Sequence, residues 1–191
     1  DLPIEELRQI LTEINSVSRL EYPTITKFID FIPFYYAKSV TSAIISELDA
    51  SRSLRQVLES KINNPKERRF NDTIKLITIY GIAKAMSYLH SKKIIHCNLK
   101  PENILMDHNL YPYVTDYALS HFSHQMQNMK NIDFAQVIHG TILCLPPEFF
   151  DNFEYTQEGD VYAFSMLVFE IMTCRKPFNN IPHAKVIPKL K

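Results

Sequence analysis

Between Asp160 and Cys174 the chain is apolar on nearly every side, with Val161, Phe164, Met166, Leu167, Val168, Phe169, Ile171 and Met172 leaving little polar stripe. A helix of that kind is stable only when other elements surround it, so the segment predicts a buried central helix. The 191 residues suffice for one ordinary domain or a section of a larger one. Their 46% hydrophobic and 22% charged content is that of a globular chain and excludes long disorder.

Charge and small residues narrow the function classes. Lys plus Arg and Asp plus Glu are 21 each, so there is no basic excess to neutralise nucleic-acid phosphates or an anionic membrane surface. Three glycines are too few for a glycine-rich phosphate cradle within these residues. No apolar run is long enough to span a bilayer, and no secretory signal opens the chain. The cysteines, Cys97, Cys144 and Cys174, are an odd and scattered set. They read as free thiols in a reducing, cytoplasmic setting, without the close pairs that a zinc site needs. His121 and His124 form a lone H-x-x-H that reads as a solvated loop.

The helical period predicts an amphipathic helix over residues 3–20, with Ile4, Leu7, Ile10, Leu11, Ile14, Val17 and Leu20 on one face. Two strands follow, at 25–31 and 43–48, then a short helix at 53–59. Asn71 and Asp72 are placed to cap a long helix to about His90, whose apolar positions include Ile74, Ile77, Tyr80, Ala83, Met86 and Leu89. Residues 104–106 and 113–115, joined through Asp107-His108-Asn109, predict a hairpin. Residues 119–145 carry little periodicity and read as a long functional loop. The order of elements implies an α+β fold with a small sheet part and a larger helical part.

The segment Ile95-His96-Cys97-Asn98-Leu99-Lys100-Pro101-Glu102-Asn103-Ile104-Leu105 resembles the catalytic loop of protein kinases, H-R-D-L-K-P-E-N. Asp116-Tyr117-Ala118 stands in the place of D-F-G, Pro146-Pro147-Glu148 in that of A-P-E, and Asp160-Val161-Tyr162-Ala163-Phe164-Ser165 is similar to D-V-W-S-F-G. Lys100 is of the serine/threonine type, while the overall flavour is tyrosine-kinase-like. The resemblance implies a protein-kinase-like two-lobe fold running from the αC helix to the αG region. Residues 1–49 would be the remainder of the small lobe and the hinge, and 50–191 the large lobe, truncated at its C-terminal end. The family's glycine-rich loop, β3 lysine and last helices have no counterpart in these residues. We therefore expect a section of a longer domain that by itself exposes apolar surface and folds poorly.

The same resemblance implies ATP and Mg as ligands of the complete domain and a protein as substrate or partner. Asp116 and Asn103 would be metal ligands. Asn98 occupies the position of the catalytic aspartate, and Lys100 would set an ammonium near the transferred phosphoryl. Ser46 as gatekeeper, Glu47 and Asp49 of the hinge, Ser53 and Leu105 would contact the nucleotide. Glu13 matches the αC glutamate whose lysine partner lies outside the chain. Asp160 would hold the backbone of the loop, and Val17, Phe28, His96 and Tyr117 would stack between the lobes.

The departures carry the functional expectation. An amide at position 98 cannot accept the proton of a substrate hydroxyl, a contribution typically worth about 10²–10⁴ in rate. Cys97 removes the arginine that would pair with a phosphorylated loop. Ala118 replaces a glycine where the family flexes. The implied function is a pseudokinase, a nucleotide-binding or scaffolding signalling module. The alternative is an active serine/threonine-type kinase that transfers the ATP γ-phosphate to protein hydroxyls.

Overall fold

A computed structural model describes residues 8, 12, 14–35, 41–47, 52–117, 144–152 and 154–178. Helix α1 contributes residues 8, 12 and 14–17 to this set, with Val17 and then Leu20 buried beneath it. Strands β1 (Phe28–Tyr35) and β2 (Thr41–Ser46) form an antiparallel pair. The register runs from Phe28 opposite Ser46 to Tyr35 opposite Thr41, with two irregularities on the way. The first strand therefore starts later than the alternation at 25–31 suggests. Ile25 instead makes an isolated parallel bridge to Val114, and Thr26 donates its N–H to the Val114 carbonyl at 2.9 Å.

A second, three-stranded sheet has the order β3 (Arg52–Ser53), β4 (Ile104–Met106), β5 (Pro112–Val114). The β4–β5 hairpin forms because Asp107 closes its turn, its carboxylate accepting the N–H groups of Asn109 and Tyr111 at 2.8 Å each. Pro112 fits at the first position of β5, where a missing donor is tolerated. Helix α2 (Leu54–Asn63) begins with a capping box, Ser53 and Gln56 each bonding the other's backbone. Helix α3 (Asp72–Ser91) is capped by Asn71, whose side chain accepts the Ile74 N–H. A one-turn helix α4 (Phe149–Asn152) precedes α5 (Gln157–Thr173), which starts at the Thr156 cap.

One apolar core joins these parts. Val17, Leu20 and Ile25 belong to the same buried cluster as Leu54, Leu58, Ile82, Leu89, Ile104, Val114, Tyr117, Leu167 and Ile171. Helix α5 packs on α3, but it is not buried all round. Ala163, Leu167, Glu170 and Ile171 face inward, whereas Val161 is 61% exposed and Phe169 and Met172 are also open. The inward face of α3 also departs from the sequence expectation. It consists of Thr78, Gly81, Ile82, Ala85, Met86 and Leu89, while Tyr80 is 65% exposed. Close approach decides this: a Cβ on Gly81 would lie 2.6 Å from Pro112 Cγ, so the small residues of α3 take the hairpin side.

Gly81→Ala therefore sets two effects against each other. The gain in helix propensity is about 1 kcal/mol, and overpacking against a proline ring costs about 1–3 kcal/mol. We expect net destabilisation of about 1 kcal/mol, read as a lower urea midpoint at unchanged m value.

Candidate functional site

The site is built on the loop from His96 to Asn103. Asp160, in the first turn of α5 and 3% exposed, grips its start. One carboxylate oxygen accepts the His96 N–H at 2.8 Å and the other the Cys97 N–H at 3.0 Å. His90 Nε2, near the end of α3, lies 2.8 Å from the same carboxylate. This is the loop-holding role that the sequence assigns to Asp160. Cys97 sits at φ 63°, a left-handed conformation that only such anchoring makes tolerable for a residue with a side chain.

The remainder of the loop closes on itself. The Asn98 N–H donates to His96 Nδ1 at 3.3 Å, and Asn103 Nδ2 donates to the Asn98 carbonyl at 2.8 Å. The Lys100 carbonyl accepts the Asn103 N–H at 2.9 Å, opening a 3₁₀ turn over Pro101–Asn103. Thr115 then donates its N–H to the Asn103 carbonyl at 3.0 Å, placing the residue before Asp116 against the loop. Asp116 itself is exposed and held at φ 63°. Asn98, Lys100, Asn103 and Asp116 thus converge on one loop–hairpin junction. Asn103 is 6% exposed, and with its amide nitrogen donating to Asn98 its amide oxygen is the side-chain acceptor that remains.

His96 is fully buried, and burial lowers its pKa against the opposing pull of Asp160 and Asp116. Its Nδ1 accepts a backbone N–H, so the neutral ring carries its proton on Nε2, which has no hydrogen-bond partner. It is a structural core histidine. Tyr117 is buried too. Its hydroxyl donates to the Thr26 carbonyl at 2.6 Å, and burial pushes its pKa up to about 12. Thr26 also bonds Thr115 through their hydroxyls at 3.2 Å. Val17 and Tyr117 belong to the buried apolar cluster, Phe28 packs against it, and His96 is buried as well.

The residues expected around a nucleotide are partly brought together. Glu47 and Leu105 share a 470 Å³ cavity with Tyr22, Thr26, Lys27 and Tyr113. Ser46 ends β2, and the Glu47 N–H is engaged by the Lys27 carbonyl at 2.8 Å. The Ser53 hydroxyl is the N-cap of α2 and accepts from Gln56. Glu13, Asp49, Ala118, His121 and His124 lie outside the described residues.

One constellation was missed. Arg55 on α2 makes a bidentate contact with Glu170 of α5, Nη1 to Oε1 and Nη2 to Oε2, the latter at 3.2 Å. Its Nε donates to Glu102 of the loop at 2.8 Å. Burial alone would depress the guanidinium's pKa, but the bonds to Glu170 and Glu102 outweigh it and raise the pKa. Burial pushes Glu102 up, but the Arg55 bond, a backbone hydrogen bond and the charges of Arg55 and Lys100 together outweigh it and leave the carboxyl lowered. The available signal was Glu170, a carboxylate set among Leu167, Val168, Phe169, Ile171 and Met172, which demands a cation.

Comparison with known proteins agrees with this architecture. The family described as protein tyrosine and serine/threonine kinase matches residues 3–191. This chain belongs to the protein kinase family. It is 31% identical over 165 residues to mouse ankyrin repeat and protein kinase domain-containing protein 1, covering 84% of this chain and 21% of that protein. It is 32% identical over 181 residues to an Aurora kinase of Debaryomyces hansenii, covering 95% and 40%. A G-type lectin S-receptor-like serine/threonine-protein kinase of Oryza sativa is 27% identical over 180 residues, covering 90% and 20%. The chain thus spans only about a fifth to two fifths of these relatives. No helix among the described residues is long and apolar enough to cross a membrane.

The burial of His96 has a measurable consequence. Its folded pKa lies below the ordinary 6.5, so on acidification the unfolded chain takes up a proton that the folded one refuses. This contribution to stability is present above about pH 6.5 and is lost progressively as the pH falls below that value and through the lower folded pKa. Thermal unfolding should shift to lower temperature between pH 7 and pH 5.5, and His96→Phe should flatten that dependence.

Proposed function

We propose that this chain is part of a kinase-like module that binds a magnesium nucleotide and transfers phosphate weakly or not at all. The carrying observation is Asn98. The backbone of Asn98 is hydrogen-bonded to His96 and Asn103, yet the side chain at the base position is an amide that cannot take a proton. Asp116 and the Asn103 amide oxygen are two hard oxygen donors at one junction, a set that suits Mg²⁺. Among the described residues no three of His, Cys, Asp and Glu gather as a metal cluster. A cation held by this pair would therefore take its other ligands from phosphate oxygens and water, as expected for an ion that arrives with its nucleotide. Bound there, the ion would neutralise phosphate charge. Lys100 would add a second positive group, and Leu105 with Glu47 would line the base-binding end. Ser46, Asp49, Ser53 and Glu13 complete the proposed nucleotide set, a cytoplasmic setting is part of the reading, and a protein is the partner or substrate.

The second reading is an active serine/threonine-type kinase. Lys100, Asn103 and Asp116 favour it, because phosphoryl transfer rests largely on positioning and charge stabilisation.

Transfer of labelled phosphate from Mg·ATP by the full protein separates the two. For the first reading, the unmodified protein gives only background, Asp116→Asn abolishes magnesium-dependent nucleotide binding, and Asn98→Asp raises transfer by about 10²-fold or more. Transfer by the unmodified protein that disappears in Asp116→Asn would establish the second reading instead. Equal nucleotide affinity with and without magnesium would remove Asp116 from the metal site.

A further inference from the structure

We infer that Arg55 is a positioning residue for the Asn103 end of the loop, an inference that rests on the nucleotide-binding reading above. Helix α5 reaches the loop at both ends, through two carboxylates ten residues apart, or about 15 Å along the helix. Asp160 holds the start directly, through the His96 and Cys97 N–H groups. Glu170 is too far along the helix to touch the other end and works through Arg55. The guanidinium is bidentate on Glu170 and uses its remaining Nε–H on Glu102, at 2.8 Å. Glu102 is the residue before Asn103 and lies in the same 3₁₀ turn. Asn98 and Lys100 fall between the two anchors, and Asn103 directly follows the second.

The chemistry favours a rigid brace over an incidental surface pair. The Glu170 and Arg55 side chains are only 6% and 15% exposed, so the contact is shielded from solvent. A planar fork engaged on three nitrogens fixes direction as well as distance, which a lysine could not do. Two carboxylates share one guanidinium, so neither can be withdrawn without altering the hold on the other. The brace spans residues 47 and 115 positions apart in sequence and joins α2, the loop and α5. Its load falls on the backbone of residues 102 and 103, and hence on the amide oxygen that would meet the cation. None of Arg55, Glu102 and Glu170 lines the cavity shared by Glu47 and Leu105.

The test uses the full protein with Glu102→Ala and Arg55→Met. Glu102 is 47% exposed, so its truncation should leave the fold intact, whereas Arg55→Met strands the buried Glu170 and serves as the severe case. Two quantities are measured: amide exchange across the loop, and ATP affinity with magnesium and with chelator. We expect faster exchange at Asn103 with no change at His96 and Cys97, which Asp160 still holds. Affinity for Mg·ATP should fall about tenfold, while metal-free ATP binding is unchanged, a split that a general loss of structure would not produce. Unchanged exchange at Asn103 in Glu102→Ala, or equal loss of both affinities, overturns the assignment. If the unmodified protein binds no Mg·ATP, the nucleotide-binding reading fails, and the exchange pattern alone decides whether Arg55 braces the loop.

Discussion

A buried carboxylate organises the molecule. Removing Asp160 from water costs several kcal/mol unless both carboxylate oxygens find donors. Two backbone N–H groups and the His90 ring meet that demand. Charge-assisted bonds of this kind are roughly twice as strong as neutral ones. They also tie three pieces that are far apart in sequence: the end of α3, the start of the loop and the first turn of α5. The left-handed Cys97 is a consequence of this anchoring, because the chain must turn sharply to present two successive N–H groups to one carboxylate.

From that anchor the order passes outward by backbone bonds. Asn103 joins the loop to β5 through Thr115, and β5 joins residues 24–26 through the parallel bridge at Ile25 and Val114. Tyr117 adds its hydroxyl to the Thr26 carbonyl. Tyr88 of α3 stacks on Tyr22 with ring centroids 4.6 Å apart and accepts the Glu21 N–H at 3.3 Å. The segment below the first sheet is therefore fastened to the helical part at several points. The fastening is largely backbone and ring contact, which explains how Thr26 and Tyr117 carry it without a conspicuous local pattern.

Local signals were legible in the chain because local physics sets them. Asn71 caps α3 where an Asn before an apolar period should, and the hairpin turns at Asp107. The order of four short motifs gave the family, since each motif places a backbone or a carboxylate that the fold needs. What was not legible depends on the neighbours of each element. The face that α3 buries was decided by Pro112 meeting Gly81, not by the apolar residues of α3 alone. Apolar content alone overstated the burial of α5, where Val161, Phe169 and Met172 stay open. The Ser53 hydroxyl, proposed for the nucleotide, also caps the start of α2. Arg55 looked like any lysine or arginine on a helix, and only the fold brings Glu102 and Glu170 to it.

The hydrogen bonds at residue 98 separate scaffold from chemistry. Its N–H goes to His96 Nδ1 and its carbonyl takes the Asn103 amide, so the loop uses the backbone of this residue. An aspartate or an asparagine there would support the same two bonds, and exchanging one for the other alters proton acceptance without loosening Asn103. The loop geometry therefore accommodates either side chain at position 98, and the proton acceptor can be exchanged there without altering the backbone bonds that hold Asn103.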